Sequence, residues 1–437
     1  MTQESIARRR DRPSRLVSTL SLSSAALAGW LYVKPRRGSL TTGLIGYALK
    51  ILTAALAPFV ALSGLIGALL SRRRRHPIAG YVGAAGAVLA GRFIRRVSAP
   101  HDGFEEAFGP GWETHLPKPD GSPPWLTKRW RLGQVGIRPR PQHIRNLTFA
   151  TVPDAERPLL CDLWLPATGV RHSRLGFIFL HGGGWQAFDK DLLTRPFFRH
   201  LATQGHVVMD VAYRLAREAD MRGMVGDVKR AVAWLKRHGP SIGVDPAKIV
   251  LAGGSAGGHL ALLAAYTPCD PDFDPPDVRD TNTAVRGVVA YYPVADLRTL
   301  SHHWSQQSMH PLATAMGKAV GYFSREGYQP WSKLVRKLFG APLDAVPDEL
   351  LRFSPIAHVG AHCPPTLILQ GLHDHIIPVE DVRTLHRALH DAGRPAVLVE
   401  LPQVEHAFDL IAPQVSPPAQ AALYDVDRFL ALMARGG

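Results

Sequence analysis

Residues 249–258 read Ile249-Val250-Leu251-Ala252-Gly253-Gly254-Ser255-Ala256-Gly257-Gly258. The first four are an apolar run of buried-strand length, and Ala256 to Tyr266 continues as an apolar helical stretch. The G-x-S-x-G pattern therefore falls on a strand-to-helix turn, the setting that a nucleophile elbow requires. Such a turn strains the serine backbone and needs small residues two before and two after it, here Gly253 and Gly257. It lifts the Ser255 hydroxyl clear of the sheet and places it at a helix N-terminus, where developing negative charge is favoured. A chain with 40 Gly produces this pattern by chance, so the flanking strand and helix carry the reading. The same glycines do not bind phosphate. No Lys-Ser/Thr pair follows them, and no G-x-G-x-x-G with a suitably spaced acidic residue occurs.

Outward from this point the rhythm is regular. Residues 177–180, 207–211, 249–252, 288–292, 366–370 and 396–401 are short apolar runs, and 147–152 and 161–165 read as two strands joined by a turn at 154–157. Helical periods lie between the runs, as at 227–238, where Val228, Ala231, Val232 and Leu235 share one face. Strands alternating with helices predict a mostly parallel sheet flanked by helices on both faces. Residues 297–355 break the rhythm with few strand signals and several His and Trp, and read as a cap insertion.

A second Gly-rich element, His181-Gly182-Gly183-Gly184-Trp185, follows the 177–180 strand. Glycines let the backbone approach a ligand and turn its N–H groups inward, as an oxyanion hole demands. A serine hydroxyl needs a base to act as a nucleophile. Of 20 His, His406 lies after the last strand on a loop before the final helix. His386 and His390 fall on a helical stretch, and His302, His303 and His310 lie in the cap. An acid between serine and histidine at a strand end is Asp374, in Gly371-Leu372-His373-Asp374-His375-Ile376-Ile377-Pro378, with Asp296 and Glu380 as rivals. It would hold the imidazole tautomer and stabilise the imidazolium. The order Ser255, Asp374, His406 is that of α/β-hydrolases.

Together with Tyr213-Arg214-Leu215-Ala216, these motifs resemble the hormone-sensitive-lipase-type carboxylesterases over residues 146–435, and with its apolar N-terminus the chain is similar to membrane-associated actinobacterial esterases of that group. The resemblance implies an α/β-hydrolase fold and oxyanion donors at Gly183, Gly184 and Ala256. His181 and Gly182 then support the loop, with His181 not the base. Arg217 departs from the proline that the group often has after Tyr-Arg-Leu-Ala.

The formal charge is +15, yet it is confined to one third of the chain. Residues 1–140 carry 22 of the 51 Lys and Arg but only 7 of the 36 Asp and Glu, and the remaining 29 of each sign cancel. The basic residues flank apolar runs rather than forming the face of a folded module, which argues against nucleic acid and for anionic lipid. Residues 16–33 are uncharged but Ser-rich, 44–70 hold one charge, Lys50, in 27 residues, and 78–94 are Gly/Ala-rich with Arg92. About 20 apolar residues span a bilayer core, so two or three transmembrane helices and a multi-pass place in the cell membrane are expected for 1–98. The first stretch, behind Arg8-Arg9-Arg10, is also compatible with a cleaved secretory signal; an uncleaved anchor ranks above it. Arg8 to Arg15 and Arg72 to Arg75 agree on one side for a hairpin, and the side of the enzyme then turns on the third stretch. Residues 99–145, with Trp112, Trp125 and Trp130, read as a juxtamembrane linker, and 146–437 as the catalytic domain. Cys161, Cys269 and Cys363 show no metal-ligand spacing.

The function expected is hydrolysis of a small-molecule or lipid ester through an acyl-enzyme, with neither metal nor cofactor required. An arylformamidase-like amide hydrolase, which shares the His-Gly-Gly-x-Trp loop, and a membrane-tethered binding module are the alternatives. Intact serine, histidine and glycines count against the binding module.

Overall fold

Eight of the apolar runs pair into one sheet in the computed structural model, which describes residues 15–35, 44–73, 76–116, 125–135, 140–152, 157–305 and 331–435. The strands are β1 (Gln142–Ala150), β2 (Leu159–Leu165), β3 (Gly176–Leu180), β4 (Val207–Ala212), β5 (Ile249–Gly254), β6 (Gly287–Tyr291), β7 (Thr366–Gly371) and β8 (Ala396–Leu401), in the order β1-β2-β4-β3-β5-β6-β7-β8. β1 and β2 pair antiparallel, as do β2 and β4, and the six strands β3 to β8 run parallel to one another. This is the α/β-hydrolase arrangement. Of the turn expected at 154–157 between the first two strands, residues 154–156 lie outside the described residues.

The period of two explains why the strands read as unbroken apolar runs. Ile178 and Leu180, with Ile249 and Leu251, enter the core on one face, while Phe177 and Phe179, with Val250 and Ala252, enter the core on the other. Both faces are covered, so no strand position can be polar without a partner.

Ahead of the sheet stand α1 (Arg15–Tyr32), α2 (Leu44–Ala55), α3 (Ala57–Arg73), α4 (Pro77–Val97) and α5 (Gly103–Phe108). α6 (Arg195–Thr203) follows β3, and α7 (Met221–His238) follows β4. α8 (Ala256–Tyr266) leaves β5 directly. The insertion after β6 holds α9 (Leu297–Ser305), α10 (Trp331–Phe339) and α11 (Pro347–Arg352). α12 (Val379–Asp391) joins β7 to β8, and α13 (Pro417–Ala434) closes the chain. Residues 306–330 of the insertion, His310 among them, lie outside the described residues. α7 starts six residues before its predicted start, because Asp220 caps it by accepting from the Gly223 amide.

α1, α3 and α4 pack through small residues. A methyl group at Gly86 would lie 2.5 Å from Ser24 Oγ and 2.6 Å from the Ala25 amide nitrogen, and one at Gly64 would lie 2.5 Å from the Gly83 carbonyl oxygen. Ser24 donates to the Val60 carbonyl and Tyr32 to the Leu89 carbonyl. The large side chains point the other way: fifteen of the eighteen exposed large hydrophobics among the described residues lie between Leu16 and Val88. α4 is the one described helix that alone is long and apolar enough to cross a membrane. The 44–70 stretch, expected as one span, breaks at Leu56 into α2 and α3, which meet at 77° and pass that test only as a pair. α1 does not pass it. Among the described residues, length and composition therefore support one such helix, or two if the bent pair is one span, and not three.

Residues 101–116 and 125–135 lie on the sheet domain. Phe104 stacks on Trp112, and Phe108 meets Phe429 of α13. Trp130 Nε1 donates to the Val415 carbonyl. Arg129 pairs with buried Asp425. Asp427, fully buried, accepts from His200 Nε2 at 2.9 Å, Gln204 Nε2 at 2.6 Å and the Leu126 amide at 2.8 Å. Removing this acceptor strands three buried donors, each costing about 1–3 kcal/mol. Asp427→Ala is therefore expected to lower stability by about 3 kcal/mol or more; an unchanged urea midpoint would refute that role.

Candidate active site

In a parallel sheet the carboxyl ends of the strands form one edge, and residues placed there converge whatever their separation in sequence. Ser255 follows β5, Asp374 follows β7 and His406 follows β8, so all three stand on that edge.

Ser255 has φ +56° and ψ −121°, a backbone that residues with side chains rarely adopt. Its neighbours permit it. A methyl group at Gly257 would lie 2.1 Å from the Leu180 carbonyl oxygen, and one at Gly253 would lie 2.4 Å from the Gly257 carbonyl carbon. α8 can press this closely on the ends of β3 and β5 only because both positions are glycine. The Ser255 amide donates to the Tyr291 carbonyl at 2.9 Å, fixing the turn to β6.

The His181–Trp185 loop passes beside this turn. A methyl group at Gly182 would lie 3.4 Å from Ser255 Cβ. Gly183 takes φ +122°, and a methyl group there would meet the Ala187 carbonyl oxygen at 2.1 Å; Gly184 takes φ +59°. Among the described residues, the amides of Gly183, Gly184 and Ala256 donate to no protein acceptor. The Tyr-Arg-Leu-Ala stretch pins the loop. Tyr213 OH donates to the His181 carbonyl, the Ala216 amide donates to the Trp185 carbonyl, and Arg214 pairs with buried Asp227. His181 stacks on Tyr213 and donates from Nδ1 to the Gly182 carbonyl, so its ring faces the loop backbone.

Asp374 and His406 are paired at 2.8 Å, Nδ1 to Oδ2. Gln370 Nε2 donates to the same oxygen, and the Ile376 and Ile377 amides donate to Oδ1, each at 2.9 Å. Burial raises the Asp374 carboxyl, but the charge and hydrogen bond of His406 and the Ile377 amide outweigh it and hold the group below the usual carboxylate range. The rivals lie elsewhere. Asp296 pairs with Arg298, Glu380 with Arg383, and His386 donates to the Ala396 carbonyl. His303, on α9, donates to the His375 carbonyl, and Trp304 donates to the Ile376 carbonyl. The cap therefore grips the Asp374 loop without entering the pair. Among the described residues, no group of three or more His, Cys, Asp or Glu is placed to hold a metal ion.

Four residues at this edge escaped the sequence reading. Tyr292 lies with its ring 4.2 Å from that of His406 and donates to Asp409. Gln370 braces Asp374. His259 accepts from Trp185 Nε1 and donates to the Phe353 carbonyl. Glu405 Oε1 accepts from the His375 and His406 amides at 2.9 and 3.0 Å. Only Glu405 carried a signal, as a carboxylate inside an otherwise apolar Val404-Glu405-His406-Ala407-Phe408 run.

The BD-FAE family model matches residues 161–389. The chain is 34% identical over 251 residues to the probable carboxylic ester hydrolase LipM of Mycobacterium tuberculosis, covering 57% of this chain and 52% of LipM. It is 30% identical over 318 residues to esterase LipQ of the same organism, covering 71% and 69%. The chain thus spans about half the length of the first of these relatives. Among solved structures it resembles esterase 2 of Thermogutta terrifontis with propionate bound, at 28% identity and TM-score 0.50, over 65% of this chain and 92% of that one. The same esterase phosphonylated by sarin aligns at 27% and TM-score 0.51, over 65% and 93%.

Burial lowers the pKa values of His181 and His259 to about 4, although each ring donates to a backbone carbonyl. Both are therefore neutral in the folded protein at pH 5 and above. The unfolded chain takes up these protons near pH 6.5, so each ring removes about 1.4 kcal/mol of stability per pH unit as pH falls from there toward 4. Site-resolved histidine NMR, assigned with His181→Gln and His259→Gln, should find both rings unprotonated at pH 5.5. A ring titrating above pH 6 would contradict this burial.

Proposed function

The chain belongs to the BD-FAE family, and we propose that it is a serine carboxylic-ester hydrolase working through Ser255, His406 and Asp374 at the membrane. The observation that carries the reading is the 2.8 Å pairing of Asp374 with His406 on the sheet edge that also bears strained Ser255.

In this reading Ser255 Oγ attacks the acyl carbonyl carbon and His406 takes its proton. The carbonyl oxygen becomes an oxyanion, held by the amides of Gly183, Gly184 and Ala256; one such donor is worth about 3–4 kcal/mol of barrier. The bond to the alcohol oxygen breaks and His406 protonates that alcohol. Water then attacks the acyl-enzyme with His406 again as base, and the acid leaves as Ser255 regains its proton. Asp374 stays ionised and orients the imidazole. The names of LipM and LipQ and the serine-reactive inhibitor on the Thermogutta esterase agree with ester chemistry.

The N-terminal helices supply the membrane part of the proposal. A water-soluble bundle buries large apolar side chains. Where α1, α3 and α4 pack on one another they bury mainly Gly, Ala and Ser and expose Leu, Ile and Phe. Leu31, Phe93, Ile94 and Val97 are buried in a cluster with residues of the sheet domain. Small residues between helices and large ones outward are the pattern of helices packed in lipid. With α4 as the spanning helix, ester substrates that partition into the bilayer are brought near the site.

A fluorophosphonate probe should label the full chain, and Ser255→Ala should abolish the label and the hydrolysis of p-nitrophenyl esters. Asp374→Asn should cut kcat by about 10⁴-fold. An unlabelled wild type, or a labelled Ser255→Ala, would end this assignment. The protein should stay with membranes in high salt and leave with detergent, and its kcat/KM should rise with acyl length. Release by salt alone, or a strict preference for acetyl esters, would count against the membrane part.

A further inference from the structure

α2 carries two polar side chains that the chemistry above does not use. Tyr47 and Lys50 are three residues apart and so share one helix face. Ile45, Leu49 and Leu52 lie on the exposed side. Lys50 is the single charge in residues 44–70, and it is buried. A buried ammonium persists only when partnered. Its Nζ donates to the Val33 carbonyl and to His373 Nδ1 at 2.7 Å, one residue before Asp374. Tyr47 OH donates to the carbonyl of His406 itself at 3.1 Å, and its ring packs edge-on against His375 at 5.3 Å.

Those contacts fall on the two loops that must stay in register for Asp374 to orient His406. The loops are clipped by Glu405, a buried carboxylate whose Oε1 accepts from the amides of both loops and lies 3.0 Å from His375 Nδ1. Its Oε2 is buried with no hydrogen-bond partner among the described residues. The charge of Lys50 acts on that carboxylate. Lys50 thus brings a positive charge from the N-terminal region beside the clip, with its own hydrogen bond to His373 of the Asp374 loop, while His375 is the group in contact with Glu405.

Resting on the ester-hydrolase reading, we propose that Lys50 and Tyr47 are positioning residues: α2, docked behind the Asp374 and His406 loops, sets the aim of the imidazole. Hydrolysis then needs the N-terminal helices for geometry as well as for attachment.

The test uses the full chain in detergent micelles, with p-nitrophenyl butyrate as substrate and fluorophosphonate titration to count competent sites. A displacement of about 1 Å in a reacting group costs about 10²-fold. Lys50→Met should therefore lower kcat per titrated site by about ten- to a hundredfold with KM within about twofold, and Lys50→Arg should recover much of the loss. Tyr47→Phe should lower kcat several-fold at unchanged KM, and Leu52→Ala, on the exposed face, should match wild type. The proposal fails if Lys50→Met and Tyr47→Phe keep wild-type kcat per site, because the contacts are then merely structural. It fails equally if Lys50→Arg recovers nothing. Should Lys50→Met not fold, Tyr47→Phe decides alone. A wild type that neither labels nor hydrolyses would instead remove the underlying reading, and this inference with it.

Discussion

The site depends on one close approach, that of the α8 N-terminus to the ends of β3 and β5. Gly257 stands so near the Leu180 carbonyl that any side chain would collide with backbone, and Gly253 is as tightly met by Gly257. This contact forces the unusual backbone of Ser255 and draws the His181–Trp185 loop in beside it. Strain of this kind, of order 1–3 kcal/mol, persists only where the surroundings over-determine it. Here the Tyr291 carbonyl, Tyr213, Ala216 and His259 supply that surrounding.

The other half of the site is built on a different principle. Asp374 and His406 sit on loops rather than in a turn locked by glycine, and their register is kept by buried polar groups. Gln370, the Ile376 and Ile377 amides and Glu405 hold them from within the sheet domain. His303 and Trp304 hold them from the cap. A polar junction of this kind is firm when every member is satisfied and costly when one is lost. Ser255, the proposed nucleophile, is fixed by shape, and its proposed partner by hydrogen bonds that converge from separate parts of the chain.

This difference explains what the sequence revealed. Glycine at fixed spacing, set between a strand and a helix, is local information, and it was enough to place Ser255 and the His181–Trp185 loop. Strand runs buried on both faces are legible because nothing polar interrupts them. Asp374 and His406 were proposed from chain order and from their position after strands, and the two side chains do pair. Tyr292, Gln370 and His259 carried no such mark, since they act through contacts with residues distant in sequence. The N-terminal region was read less well. An apolar run says that a helix forms; it does not say where the helix bends. The mark of the bend was Pro58, two residues past Leu56, which has no N–H to give the Ala54 carbonyl and so breaks the helix there. Beyond the break α2 docks on the Asp374 and His406 loops while α3 packs on α1 and α4.

Residues 99–145 read as a juxtamembrane linker, and of these 101–116 and 125–135 lie against α13. The Leu126 amide and Arg129 meet the buried carboxylates of Asp427 and Asp425, and His200 and Gln204 hold Asp427 from within the sheet domain. A fragment begun near residue 141, where the first strand starts, would leave these two acids without part of their cover. A boundary upstream of His101, whose imidazole also reaches Asp425, keeps these contacts, and what looks like a dispensable leash is a structural part of the sheet domain it leads into.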